Sequence, residues 1–97
     1  MNMQAMMQQA QKLQRDMLKA KKEIEDKTYV STQSFVTVET KGTKEITKVI
    51  IDQDTLDKDD IEMLDDLIVV AANENIKAIN KDTESKMGKF GGMAGLF

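Results

Sequence analysis

The sequence predicts an α+β fold: a long helix, a three-stranded antiparallel sheet and a second helix. Apolar residues recur at alternating steps of three and four up to Lys27, at steps of two from Thr28 to Ile51, and at helical steps again beyond Asp59. Gly42 is the one glycine before residue 88, and there is no proline, so the first 87 residues hold few breakers of regular structure. The chain reads as one domain over residues 1–87 followed by a flexible glycine-rich tail over residues 88–97.

The first helix is expected over about Asn2 to Lys27, near 36 Å long at about 1.5 Å per residue. Met3, Met6, Ala10, Leu13, Met17, Ala20 and Ile24 form a seam of the a/d type. Methionine and alanine dominate it, which makes an adaptable packing face rather than a tightly specified coiled coil. The seam has two readings, an ordinary core-facing stripe or a surface shared with a second copy. In the second reading Met3, Met6, Ala10, Leu13 and Met17 are the dimerisation residues. A chain of 97 residues buries a modest share of its surface, so association is an economical source of further burial.

The opposite side of the same helix carries Lys12, Arg15, Lys19 and Lys22, spaced three, four and three, with Lys21 alongside. These four residues are the candidate phosphate contacts; the alternative is a plain solvated face. Asp16, Glu23, Glu25 and Asp26 flank the stripe and could neutralise part of it.

Thr28 to Val30 reads as a short strand, with Ser31 to Ser34 as a turn or irregular edge. The next strand, Phe35 to Lys41, puts Val36, Val38 and Thr40 on one face and Phe35, Thr37 and Glu39 on the other. Lys41-Gly42 marks a tight turn in which positive φ values are expected. Glu45 to Ile51 returns, with Thr47, Val49 and Ile51 on one face and Ile46, Lys48 and Ile50 on the other. Tyr29 and Phe35 read as packing groups. Strands this short need helices or a second subunit against them.

Asp57 or Asp59 is expected to cap the second helix, which runs from about Asp59 to about Asp82. Its buried stripe is read as Ile61, Leu64, Ile68, Ala71, Ala72, Ile76 and Ile79, with Leu67, Val69 and Val70 at the flanks. Asn73 and Asn75 interrupt this stripe and are expected to hydrogen-bond locally or across an interface, because an unpaired buried amide costs about 1 to 3 kcal/mol.

Composition narrows the function classes. With no cysteine and no histidine, thiolate chemistry and the usual imidazole base are missing, and an enzymatic role is not expected. The carboxylates from Asp52 to Asp60 lack the central glycine and closing glutamate of a calcium loop, so no metal and no cofactor is expected. The longest apolar run, Leu67 to Ala72, is too short to span a bilayer, and no secretory signal opens the sequence; a cytoplasmic location without a membrane partner follows. The formal net charge of -3 conceals an uneven distribution. Residues 1–27 carry six basic and four acidic side chains, whereas residues 52–82 carry three basic and ten acidic ones.

The segment Met6-Met7-Gln8-Gln9-Ala10-Gln11-Lys12-Leu13-Gln14 resembles the first helix of the YbaB/EbfC family of bacterial nucleoid-associated proteins. The likeness continues at Gly42, Val49-Ile50-Ile51-Asp52, Glu62-Met63-Leu64-Asp65-Asp66-Leu67-Ile68, Ala71-Ala72-Asn73-Glu74 and Lys86-Met87 with the glycine-rich end. It implies an intertwined homodimer of helix–sheet–helix protomers that associates with DNA in the nucleoid. Carried onto this chain, it makes the first helices projecting arms and Lys12, Arg15, Lys19 and Lys22 their contacts to duplex phosphates. The chain departs from the family pattern at Asp52-Gln53, where many members have Asp-Pro, at Ser31–Ser34, where a glycine-containing stretch is common, and at Lys41, where asparagine is usual. The competing expectation is a dimeric protein-interaction module that does not bind DNA and recognises a protein partner through the acidic helix or the glycine-rich tail. RNA association by the same basic stripe is a third.

Overall fold

The computed structural model describes residues 2–88 and Phe90. Its elements follow the order α1 (Met3–Asp26), β1 (Thr28–Gln33), β2 (Val36–Lys41), β3 (Ile46–Ile51) and α2 (Lys58–Met87). The flexible tail expected over residues 88–97 falls, at residue 89 and from residue 91 onward, outside the described residues. Within them Gly88 keeps right-handed helical dihedrals, and Phe90 is buried.

Each helix starts where a side chain meets its free N–H groups. The Asn2 carboxamide oxygen accepts from the Gln4 N–H at 2.9 Å and opens α1. At α2, Asp57 accepts from the Asp60 N–H at 2.8 Å while Asp60 accepts from the Asp57 N–H at 3.1 Å, a reciprocal capping box. Of the two candidate caps, Asp57 is the one used. The helix also runs five residues past Asp82. No breaker occurs before Gly88, and Ile79, Thr83 and Met87 continue one stripe at steps of four. Thr83 is accommodated by bonding its hydroxyl back to the Ile79 carbonyl at 2.8 Å.

The sheet is antiparallel in the order β1-β2-β3. β1 extends to Gln33, beyond the expected Val30, because the polar residues Ser31 to Gln33 pair with Val38 to Val36. The reversal into β2 is a two-residue turn at Ser34-Phe35, with Ser34 at φ 54°. In the second hairpin the residue with positive φ is Lys44, at 75°, and not Gly42. Lys44 N–H donates to the Lys41 carbonyl at 2.8 Å, closing a turn in which Gly42 has another role. Gly42 lies directly against the last turn of α1, where a Cβ would overlap the Ile24 carbonyl group. Its N–H donates to the Lys27 carbonyl at 2.9 Å.

A bulge between Glu39 and Thr40 alters the facing of β3: Lys48 pairs with Glu39, but Ile46 pairs with Thr40. Ile46 therefore joins Val49 and Ile51 on the face of β2 that carries Val36, Val38 and Thr40, where strict alternation had put it on the opposite side. Val36, Val38 and Thr40 are fully buried, as alternation predicts.

α2 covers β1 and β2. Ala71 and the partly buried Leu64, Leu67 and Ile68 pack with Val36 and Val38, and the full burial of each of the two valines contributes roughly 1.5 to 3 kcal/mol. Ile61, placed in the buried stripe from sequence, is 58% exposed; it precedes by one turn the first α2 residue packed on the sheet, Leu64. Asn75 is buried and donates its amide both to the Val38 carbonyl at 2.9 Å and to Thr40 Oγ1 at 3.0 Å. Its partners lie on the sheet, neither local nor across a subunit boundary as expected, whereas Asn73 is exposed. Ile46, Val49 and Ile51 on the edge strand β3 remain exposed.

α1 and α2 run antiparallel: Ile24 packs with Ile79 and Tyr29, and, nearer the start of α1, Ala20 and Met17 pack with Met87 and Phe90. Residues 2–16 are all exposed. The molecule measures 71 × 18 × 15 Å, with a radius of gyration of 19.3 Å, against about 13 Å for a compact domain of this length. The free half of α1 is an arm.

Candidate nucleic-acid interface

Lys12, Arg15, Lys19 and Lys22 are exposed along α1. At about 100° per residue they fall on one side of the helix, nearly opposite the apolar seam, and span about 15 Å along its axis. Two of the four acidic neighbours that could have neutralised them, Glu23 and Glu25, are turned to other lysines. Glu25 lies 3.8 Å from Lys21, and Glu23 lies 3.5 Å from Lys86 on α2. Among the described residues none of the four stripe cations is in an ion pair. A row of unneutralised cations on a slender rod is suited to a polyanion, whose phosphates they can meet without first breaking protein contacts.

The seam expected to serve dimerisation divides into two parts. Met3, Met6, Ala10 and Leu13 are exposed, with Met3 at 77%. Met17 is 3% exposed within its own protomer, covered by Ala20, Met87 and Phe90. The seam spacing groups Met17 with the dimer surface, because the length of α2, and hence its reach to Met17, is not apparent from the polar residues after Asp82.

The base of the arm is fixed by contacts that sequence reading missed. Tyr29 donates its hydroxyl to Asp82 Oδ2 at 2.7 Å, Lys27 donates to the same oxygen at 3.0 Å, and the Lys27 ammonium lies 4.8 Å from the Tyr29 ring centroid. These residues are about 53 positions apart and carry no recognisable spacing, so only the packed fold brings them together. Burial, then the hydrogen bond to Asp82 and the charge of that carboxylate, push the Tyr29 phenol up to about 12. The Asp82 carboxyl is held below its ordinary value, first by the Tyr29 hydrogen bond and then by the one from Lys27.

The consequences for pH follow in opposite directions. The Tyr29 phenol ionises near 10 in the unfolded chain, so its contribution to stability is whole below pH 10 and is lost as pH rises towards about 12. The Asp82 contribution is present above the ordinary carboxylate range and disappears as pH falls through the lowered value. We expect the Tm of the wild-type chain to fall more steeply between about pH 9.5 and 11.5 than that of a Tyr29→Phe variant. Parallel alkaline melting curves for the two proteins would contradict this account.

A groove of about 730 Å³ runs between the end of α1, the β2–β3 turn and α2, lined by Lys21, Ile24, Lys44, Ile79, Thr83 and Met87 among others. It arises where Gly42 lets the turn approach α1, a close approach that one glycine in a sequence does not announce. No group of three or more histidine, cysteine, aspartate or glutamate side chains among the described residues is arranged to hold a metal ion. The two carboxylates of the capping box, Asp57 and Asp60, have structural partners. No helix among the described residues is long and apolar enough to cross a membrane.

The profile of the YbaB/EbfC DNA-binding family matches residues 1–94. This chain belongs to that family. Family membership makes it a non-enzymatic protein. Its relatives include a nucleoid-associated protein of Clostridium novyi, 41% identical over 102 residues that span 100% of this chain and 90% of the relative. A nucleoid-associated protein of Lactococcus lactis subsp. cremoris is 45% identical, covering 93% of each chain. Another, of Enterococcus faecalis, is 38% identical over 92% of this chain and 88% of its own. The crystal structure of an uncharacterized protein from Helicobacter pylori superposes with a TM-score of 0.73 at 17% identity, covering 93% of this chain and 97% of that one. That likeness is one of fold, and it supports the helix–sheet–helix arrangement of this YbaB/EbfC family member.

Proposed function

We propose that this chain is a nucleoid-associated DNA-binding protein of the cytoplasm that acts as a homodimer and contacts duplex DNA mainly through its phosphates. The observation that carries this reading is the unpaired row of Lys12, Arg15, Lys19 and Lys22 on an arm that projects from the domain. Family membership and the names of the relatives support the choice of DNA as the polyanion. Two protomers bring eight such cations to one assembly, and the acidic α2 helices face away from the duplex. Sequence preference would arise from DNA shape and deformability, since phosphate contacts carry no base information.

Association of two copies is supported by apolar surface that the described residues of one protomer leave uncovered. Among the described residues, Met3, Met6, Ala10 and Leu13 continue the α1 seam as exposed groups beyond the buried Met17, and Ile46, Val49 and Ile51 lie bare on an edge strand. An intertwined arrangement would cover both. The same exposed surface also favours a second reading, a dimeric protein-interaction module that does not bind DNA.

A DNA titration at about 50 and 200 mM salt separates the two. Six to eight phosphate contacts predict an affinity loss of roughly 10³-fold or more across that range, because each neutralised phosphate releases counterions. Absence of binding to several duplexes at about 50 mM salt would favour the protein-interaction reading. Sedimentation equilibrium tests the dimer separately; a monomer at every micromolar concentration would refute it.

A further inference from the structure

The start of α1 carries no charged side chain: Lys12 is the first basic residue of the sequence and Asp16 the first carboxylate. What this stretch carries is sulfur. Met3, Met6 and Met7 all lie on α1, and all three are exposed. A seam built only for packing would be served more specifically by leucine and branched residues, which have no sulfur to offer.

The helix brings the three thioethers together. The Asn2 cap and the 3.1 Å bond from the Met6 N–H to the Asn2 carbonyl hold the first turn, so Met3 already stands on helical backbone. Met6 and Met7 follow Met3 by three and four residues, the two spacings at which helical side chains are neighbours. Long side chains lean towards the N-terminus of their helix, which carries Met6 and Met7 back over Met3. One turn further on, Ala10 is too short to fill the space, and it lines with the three methionines a hollow of about 240 Å³.

A hollow whose donors are thioethers selects its ligand by softness. No histidine, cysteine, aspartate or glutamate group among the described residues is arranged to hold a metal, so ions that need oxygen, imidazole or thiolate ligands have none at this place. Thioether sulfur suits Cu(I) and its chemical analogue Ag(I). The positive end of the helix dipole opposes any cation beside Met3 and opposes a divalent one more, which favours the same class.

We propose that Met3, Met6 and Met7 form a three-sulfur site for a soft monovalent cation, Cu(I) or Ag(I), at the tip of the α1 arm. Binding changes no oxidation state and releases no proton, because a thioether carries none. All three donors come from one helix, so the site rests on neither the dimer nor the DNA reading. Met3 and Met6 also belong to the seam assigned above to a second copy, and a bound ion lies at that surface.

The test is a titration of the full chain, labelled with ¹³C at its methionine methyl groups, with Ag(I) nitrate in chloride-free buffer. The Met3, Met6 and Met7 signals are expected to shift together and to saturate at one Ag(I) per chain. Met63, exposed on α2 with no methionine beside it on the helix, is the internal control and should stay in place over that range. No shift, or a Met63 signal that moves at the same Ag(I) concentration as the other three, overturns the site. Met3→Leu, Met6→Leu and Met7→Leu preserve the apolar surface and the helix while each removes one sulfur. Each single change is expected to weaken Ag(I) binding by at least about tenfold, the lower end of the loss seen even for groups that stand behind a ligand. Circular dichroism should show unchanged helix content in all three. Undiminished Ag(I) affinity in any one of these folded variants overturns the three-sulfur assignment.

Discussion

Gly42→Ala is expected to destabilise the fold by about 3 kcal/mol, the upper part of the range for overpacking, because the added methyl group meets backbone. The atoms it would overlap are the carbonyl group of Ile24, and these cannot rotate away as a side chain could. Relief requires the β2–β3 turn to withdraw from α1, which breaks the 2.9 Å bond from the Gly42 N–H to the Lys27 carbonyl. It also loosens the cluster of Ile24, Tyr29 and Ile79. For a domain of this size the loss corresponds to a fall in Tm of about 12 to 24 °C. Thermal unfolding followed by far-UV circular dichroism measures it directly. A Tm within about 3 °C of wild type would mean that the turn is free to move and that the arm is held by other contacts. Because Gly42 has no positive φ, the penalty is steric and grows with side-chain size: Gly42→Val should be worse than Gly42→Ala.

Reversal of the four stripe cations, Lys12→Glu, Arg15→Glu, Lys19→Glu and Lys22→Glu together, is expected to lower DNA affinity at about 50 mM salt by more than 10³-fold. Each cation removed forfeits the release of counterions from one phosphate, and each carboxylate gained repels that phosphate. The fold should survive, because all four side chains are exposed and none shares an ion pair with a described residue. Glutamate is also a good helix former. Fluorescence anisotropy supplies the affinity, with circular dichroism and sedimentation as controls for helix content and assembly. If the folded variant retained wild-type affinity, phosphate contact would have to be reassigned to other lysines; the exposed Lys41, Lys44 and Lys48 on the second hairpin come next.

The change of hydrophobic period from helical to alternating was sufficient to place all five elements, since each period corresponds to one way of presenting apolar groups to a core. What escaped was decided by pairing between distant residues. Ser31 and Gln33 have little strand character of their own, and the segment Ser31 to Gln33 is extended through its pairing with Val36 to Val38. The bulge at Thr40 turns Ile46 to the face of Val49, against simple alternation. Lys44 takes the left-handed conformation in the second hairpin, leaving Gly42 to serve the contact with α1. At the candidate interface, exposure of Lys12, Arg15, Lys19 and Lys22 followed from helical spacing alone. The choice of partners by Glu23 and Glu25 did not, because Lys86 lies on another helix. The cover of Met17 is hidden from the sequence for the same reason: it comes from Met87 and Phe90, beyond the point where the periodicity of α2 fades.

Asn75 has a consequence for how the two layers find one alignment. A helix laid on a sheet mostly through Val, Ile, Leu and Ala could slide by a turn and meet similar surfaces. The two bonds from the Asn75 amide, to the Val38 carbonyl and Thr40 Oγ1, are available at only one setting. Any shifted alignment buries an unpaired amide, at a cost of about 1 to 3 kcal/mol. Asn75 thus acts as an alignment pin, disfavouring off-register packings more than it strengthens the native one. The direction in which α2 carries its C-terminal half, and with it the position of Asp82 that holds the base of α1, depends on one amide in the middle of an apolar layer.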